Sequence, residues 1–297
     1  MLTNFRDNYQ ILKKSLFDFK DNNPLQLASA TAFFCLFALP PILIIIITLL
    51  GTFVNPEDIS GNIFDQLSGV LGAEGAQQIQ EIFNNFRSMA ENTLTTILVA
   101  VFLIFIATNL FELVRKSINQ LWSVKVKKSP ELRVLLRSRL LAMTMVLIGG
   151  MVILISLLAD ATVTFVGDFL DSLLPDIGLS LIKFVNTIFS LSVLTLWFTL
   201  LFKILPNAEI QWRPALVGGF TTSLLFSVGK FILGKALINS NINSIFGASG
   251  SIILILLFIF YSSLIFYFGA TYTKNYGDYI QQPIKPDEFS EKSLKNP

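Results

Sequence analysis

Of the chain's 297 residues, 53% are apolar and only 14% are charged, against roughly 25% charge in a typical soluble domain, so the composition excludes an ordinary water-soluble globule. A net charge of +2 is too small to draw nucleic acid. With no His and one Cys, Cys35, the chain lacks the commonest general base, the commonest transition-metal ligand and any intrachain disulfide; no catalytic residue, metal or cofactor is assigned.

Residues 1–26 are polar and mixed in charge, without the form of a signal peptide, so insertion is expected to rely on the first apolar run. Within them Phe5, Tyr9, Leu12, Leu16 and Phe19 recur at spacings of three and four, while Lys13, Lys14 and Lys20 fall on other faces. That pattern predicts an interfacial helix attracted to anionic lipid headgroups; simple packing on the bundle and the binding of a partner are the alternative uses of the stripe.

Six apolar runs follow, at 27–53, 93–113, 140–158, 182–205, 214–237 and 249–272, each near the roughly 20 residues that cross about 30 Å of hydrocarbon. The predicted fold is all-α: an integral membrane bundle of six transmembrane helices over 27–273, with interfacial amphipathic helices beside it. Pro40-Pro41 interrupts the first run. Two adjacent prolines remove two backbone donors, predicting either a packing kink or a flexible, discontinuous helix lining a cavity. Between the first two runs, Ile79, Ile82, Phe83, Phe86 and Met89 make a second amphipathic stripe.

In the fifth run Ala215, Gly219, Ser223 and Ser227 recur every four residues, a seam that lets another helix approach closely. Lys230 lies two thirds of the way along the same run. A charge at that depth either snorkels to the surface or meets an anionic group of a substrate or lipid. The turn holding Gly247, Ser249 and Gly250 opens the sixth run; it serves as a tight connection or as a contact for an anion or headgroup. The tail 274–297 is polar, carries Pro283 and Pro286, and is expected to be disordered.

Most of the 22 Lys and Arg residues fall in the amino-terminal segment, the loop after the second run, the fourth-to-fifth connection and the tail. The intervening loops carry acids instead, such as Glu57, Asp58, Glu74, Asp168 and Asp176. An even number of spans with this bias puts both termini in the cytoplasm.

Several segments together resemble one family. Phe33-Phe34 followed by Leu39-Pro40-Pro41, the run Ser117-Ile118-Asn119-Gln120-Leu121-Trp122, Leu205-Pro206-Asn207 followed by Trp212-Arg213-Pro214-Ala215 and Gly218-Gly219, Ile245 to Gly250, and Phe268-Gly269-Ala270-Thr271 occur in that order. This is similar to the YihY / virulence factor BrkB family of bacterial inner-membrane proteins, once labelled ribonuclease BN, over 27–273. Ala38 replaces a family Ser, and Thr271 stands where members commonly carry Glu, which removes the carboxylate from that position. The resemblance implies a multi-pass protein of the bacterial inner membrane with a role in envelope or lipid transport.

Two non-enzymatic functions fit: a transporter or lipid translocator for an envelope-related substrate, or a scaffold that organises an envelope complex without transport. Their partners are the lipid bilayer and either a second copy of the chain or an envelope protein. Ribonuclease chemistry is not expected, because metal-assisted phosphodiester hydrolysis needs clustered carboxylates or His, acids are sparse on the basic side, and its longest loop offers only Glu131 beyond Glu112.

Overall fold

A computed structural model describes residues 5–50, 73–88, 93–127, 178–238 and 250–293, together with parts of 60–68 and 140–156. It is mostly helical. In chain order, α1 covers Phe5–Lys20, α2 Pro24–Leu50, α3 Ala73–Ser88, α4 Thr93–Leu121, α5 Gly178–Ile204, α6 Trp212–Ile238 and α7 Gly250–Tyr279. Four short strands accompany them: β1 Val124–Val126, β2 Ala208–Glu209, β3 Lys285–Pro286 and β4 Ser290–Lys292.

Three helical segments among the described residues are long and apolar enough to cross a bilayer: Phe184–Ile204, Trp212–Ile232 and Ile252–Tyr279. A fourth arises if α1 and the start of α2, bent by 72° at their junction, are counted together. From the third predicted run the structure describes the shorter apolar helix Met143–Val152. Outward faces carry exposed Phe33, Phe37, Phe105, Phe184, Phe220, Phe231 and many aliphatics. An apolar surface that extensive suits hydrocarbon rather than water.

α7 is the hub. It packs against α1, α2, α3, α4 and α6, and its Phe266 stacks on Phe202 of α5, 5.2 Å between ring centroids, while α5 itself packs along α6. Small residues make both contacts of α6 close. On one face a Cβ at Gly219 would lie 2.9 Å from the Thr195 carbonyl oxygen and the Thr199 amide nitrogen of α5. On the other, a Cβ at Gly218 would collide with Thr273 of α7, and one at Gly269 of α7 with Thr222. Pro214 sits in the first turn of α6, where its missing N–H costs no helical bond.

Three expectations are corrected. First, α2 continues through Pro40 and Pro41 and is not discontinuous there, and the chain turns at Asp21–Asn23, where Asn23 takes a left-handed φ of 52°. Leu36, Leu39, Ile42 and Leu43 of the flanking turns pack in one apolar cluster, and that packing carries the helix past two missing donors. Second, α4 extends to Leu121 and α7 to Tyr279, well past the apolar runs. Helix continues wherever no breaker intervenes, and ion pairs of Glu112 with Arg115 and with Lys116, the latter at 3.5 Å, support the added turns of α4. Glu112 is therefore half-buried and paired.

Third, the tail is ordered as far as Ser293. β4 pairs antiparallel with β1 and β3 with β2, so the tail straps the end of α4 to the α5–α6 hairpin. Its Ile284 is buried in the main apolar cluster. α7 ends in a Schellman cap: Gln281 takes a φ of 59°, its N–H donates to the Asp278 carbonyl, and the Gln282 N–H donates to the Gly277 carbonyl. Main-chain pairing to two loops overrides a composition that by itself favours disorder.

Candidate functional site

The basic end of the bundle holds most of the buried polar side chains that cross between helices. Asn119 of α4 and Asn207 of the α5–α6 hairpin are both buried and exchange two bonds. The Asn119 amide Nδ2 donates to Asn207 Oδ1 at 2.9 Å, and the Asn207 backbone N–H donates to Asn119 Oδ1, also at 2.9 Å. Trp122 Nε1 donates to the Ala270 carbonyl at 2.8 Å. Tyr267, fully buried in α7, shares its hydroxyl with Thr31 of α2 at 2.5 Å and with Ser117 of α4.

Lys274 finishes α4 from α7: its ammonium donates to the Leu121 carbonyl at 3.1 Å and to Ser123 Oγ at 3.3 Å. A cation at a helix carboxyl end meets both the free carbonyls and the negative end of the dipole. Ser123, held at a φ of 56°, also accepts the Ser293 N–H of the tail at 2.8 Å. Asn275 Nδ2 donates to Ser15 of α1 at 3.2 Å, and Phe19 packs edge-on to Phe268 at 5.7 Å. Lys203 donates to the Ile210 carbonyl and lies over the Trp212 ring, 5.5 Å from its centroid.

Buried polar groups such as these are costly unless each finds its partner, and once paired they fix register. They join α1, α2, α4, α7, the α5–α6 hairpin and the tail into one lattice. Four of the sequence segments singled out for their order along the chain, at 117–122, 205–207, 212–219 and 268–271, meet in or beside it. Their separation in sequence hides that convergence.

The other predicted residues divide. Ala215, Gly219 and Ser223 are buried and face α5, where Ser223 Oγ meets Thr195 Oγ1 at 2.7 Å; Ser227 continues the line and donates to the Ser223 carbonyl. The predicted seam is thus a close helix contact. Pro40 is buried within α2 beside Pro41. Lys230 is exposed, on the outward side with Val228 and Phe231, and not turned between helices. Gly250 is the buried first residue of α7, whereas Gly247 and Ser249 lie outside the described residues.

Sequence reasoning passed over Thr31, Tyr267, Lys274 and Asn275. Thr31 and Tyr267 carried the available signal, since polar side chains inside apolar runs hydrogen-bond between helices. On α3, Ile79 and Phe83 are buried against Leu43, Ile46 and Ile47 of α2 and Ile255 and Ile259 of α7, while Ile82 is exposed. The sequence profile of the virulence factor BrkB family matches residues 16–289. Among curated relatives, a UPF0761 membrane protein of Teredinibacter turnerae is 24% identical over 84% of this chain and 56% of its own length. One of Bordetella petrii is 27% identical over 83% and 53%, and one of Mannheimia succiniciproducens 25% over 88% and 87%. The chain thus spans little more than half of the first two. No solved structure matches it.

Proposed function

From the premise that this chain belongs to the virulence factor BrkB family of membrane proteins, we propose that it moves an envelope-related solute or lipid across the bacterial inner membrane. In this reading it crosses the membrane six times, with the basic end and both termini in the cytoplasm as the loop charges direct. It is a transporter rather than an enzyme, and needs no cofactor.

The observation that carries the reading is the unequal construction of the bundle's two ends. The basic end is tied by directional bonds among buried side chains, including the Asn119–Asn207 exchange. Among the described residues, the opposite end is packed mainly by aliphatic and aromatic groups around Leu43, Ile46, Ile79, Phe83 and Ile255. Apolar contacts are non-directional and slide or part with little specific penalty, above all where lipid tails can replace them. Pro40 and Pro41 lie within the greasy region of α2, flanked by Leu36, Leu39, Ile42 and Leu43, and in this reading supply the hinge. A substrate enters between helices at the greasy end while the basic end holds its shape.

The rigid basic end equally favours a second reading, a scaffold that presents a fixed cytoplasmic face to envelope proteins or a second copy. One experiment separates them: purified protein in liposomes, with fluorescent phospholipid analogues reduced from outside by dithionite, and with trapped envelope solutes in parallel. Transport predicts loss of signal beyond the outer leaflet, or solute release, that a Pro40→Ala, Pro41→Ala double variant slows. Folded protein that moves neither class of substrate rejects the transport reading and leaves the scaffold.

A further inference from the structure

The elbow between α1 and α2 borders a cavity of about 400 Å³ that the transport reading leaves unused. Asp21, Asn22 and Asn23 line it from the elbow, Gln120 and Ser123 from the end of α4, and Lys125 from β1. Ser293 of the tail strap closes one side. The size suits a small ligand. Its wall sets a carboxylate and an ammonium beside neutral amides and a hydroxyl, which is the complement of a small group bearing both charges.

Its depth follows from the helices around it. The 72° bend lays α1 near the membrane plane if α2 crosses it. Ile11 and Ser15 are buried on the side toward α7, but Tyr9, Leu16 and Phe17 are 62%, 54% and 60% exposed, with Lys13, Lys14 and Lys20 exposed around them. An in-plane helix whose uncovered side mixes large apolar groups with lysines suits the interface of an anionic leaflet. The elbow at its end then sits among headgroups. α4 gives the same depth: its 29 residues measure about 43 Å, longer than the roughly 30 Å hydrocarbon layer, so its last turn emerges there too. Leu25, 63% exposed just past the elbow, offers an apolar flank beside the cavity.

We propose that this cavity binds the headgroup of an inner-leaflet phospholipid that carries a phosphodiester and a primary amine. Lys125 meets the phosphate as a point charge, the Asn23 and Gln120 amides donate to its oxygens, and the Asp21 carboxylate accepts from the ammonium. The acyl chains leave along Leu25 and Phe17. The inference goes beyond transport, since a resident lipid that never crosses the membrane also satisfies it; it depends only on the chain being embedded with α1 at the interface.

The test uses the full chain in detergent micelles, titrated with short-chain phosphatidylethanolamine, phosphatidylglycerol and phosphatidylcholine, and separately with soluble phosphoethanolamine. Binding is read by native mass spectrometry and by the thermal midpoint. Ethanolamine lipid should bind about tenfold tighter than the choline lipid, whose quaternary amine cannot donate to Asp21. Asp21→Asn should erase that preference, and Lys125→Gln should weaken all three phospholipids. Both side chains are exposed, so the lipid-free midpoints of these variants should match wild type. Equal affinity for every headgroup, or indifference to both substitutions, overturns the site. Preference for the glycerol headgroup overturns its amine half, and soluble phosphoethanolamine binding as tightly as the lipid overturns its assignment to a membrane ligand.

Discussion

Two amphipathic helices dock on this bundle from opposite ends, and they are held differently. α1, at the basic end, contributes a polar contact, Ser15 with Asn275, as well as the Phe19–Phe268 ring pair. It joins a lattice that includes Asn119, Asn207, Trp122, Tyr267 and Lys274. α3, at the other end, buries Ile79 and Phe83 among aliphatics of α2 and α7, with Phe64 edge-on to Phe83 at 5.6 Å. Hydrogen-bonded contacts between buried groups break abruptly, because separation leaves unpaired polar atoms. Greasy contacts loosen by degrees. The basic end is a frame, and the greasy end can yield.

The largest effect tests the frame. Gly219→Leu places a side chain against backbone atoms of Thr195 and Thr199, which cannot rotate away. α5 and α6 must separate, at a cost upwards of about 3 kcal/mol; the expected outcome is loss of most folded protein by size-exclusion profile and thermal midpoint. Retention of wild-type stability would show that the α5–α6 seam is not close-packed.

Next is Asn119→Ala, which leaves the Asn207 backbone N–H and side-chain oxygen buried without their partner. A loss of about 2–3 kcal/mol is expected, and much of the Asn207→Ala effect should vanish in the double variant if the two act as a pair. Additive losses would break the lattice picture. The smallest global effect belongs to Phe83→Ala. Although a fully coupled core Phe is worth about 3–5 kcal/mol, this one should release α3 locally. Hydrogen exchange should rise across 73–88 while the basic end keeps its protection. A cooperative collapse of both ends would abolish the distinction between them.

Much of this was legible beforehand, for identifiable reasons. The α6 seam showed because small residues at a spacing of four need only helical geometry to share a face. The apolar runs showed because hydrocarbon demands composition, whatever the neighbours. Lys230 gave two readings because a helix carries its residues around every face; only packing against α5 and α7 put that side chain outward. The amino-terminal stripe was half legible: the helix formed, but the face against α7 is Ile11 and Ser15, leaving Tyr9 and Leu16 uncovered. A polar Ser at the contact defeats any reading that equates burial with apolarity.

By itself, then, the sequence determined that this is a helical membrane protein and the family to which it belongs, since these depend on composition, period and motif order along one chain. Tertiary structure decided which polar residues became partners, that the tail became a strap, and that an elbow cavity exists at all. Those outcomes depend on which side chains arrive opposite one another, as Asn119 and Asn207 do from distant segments, and no local pattern encodes that meeting.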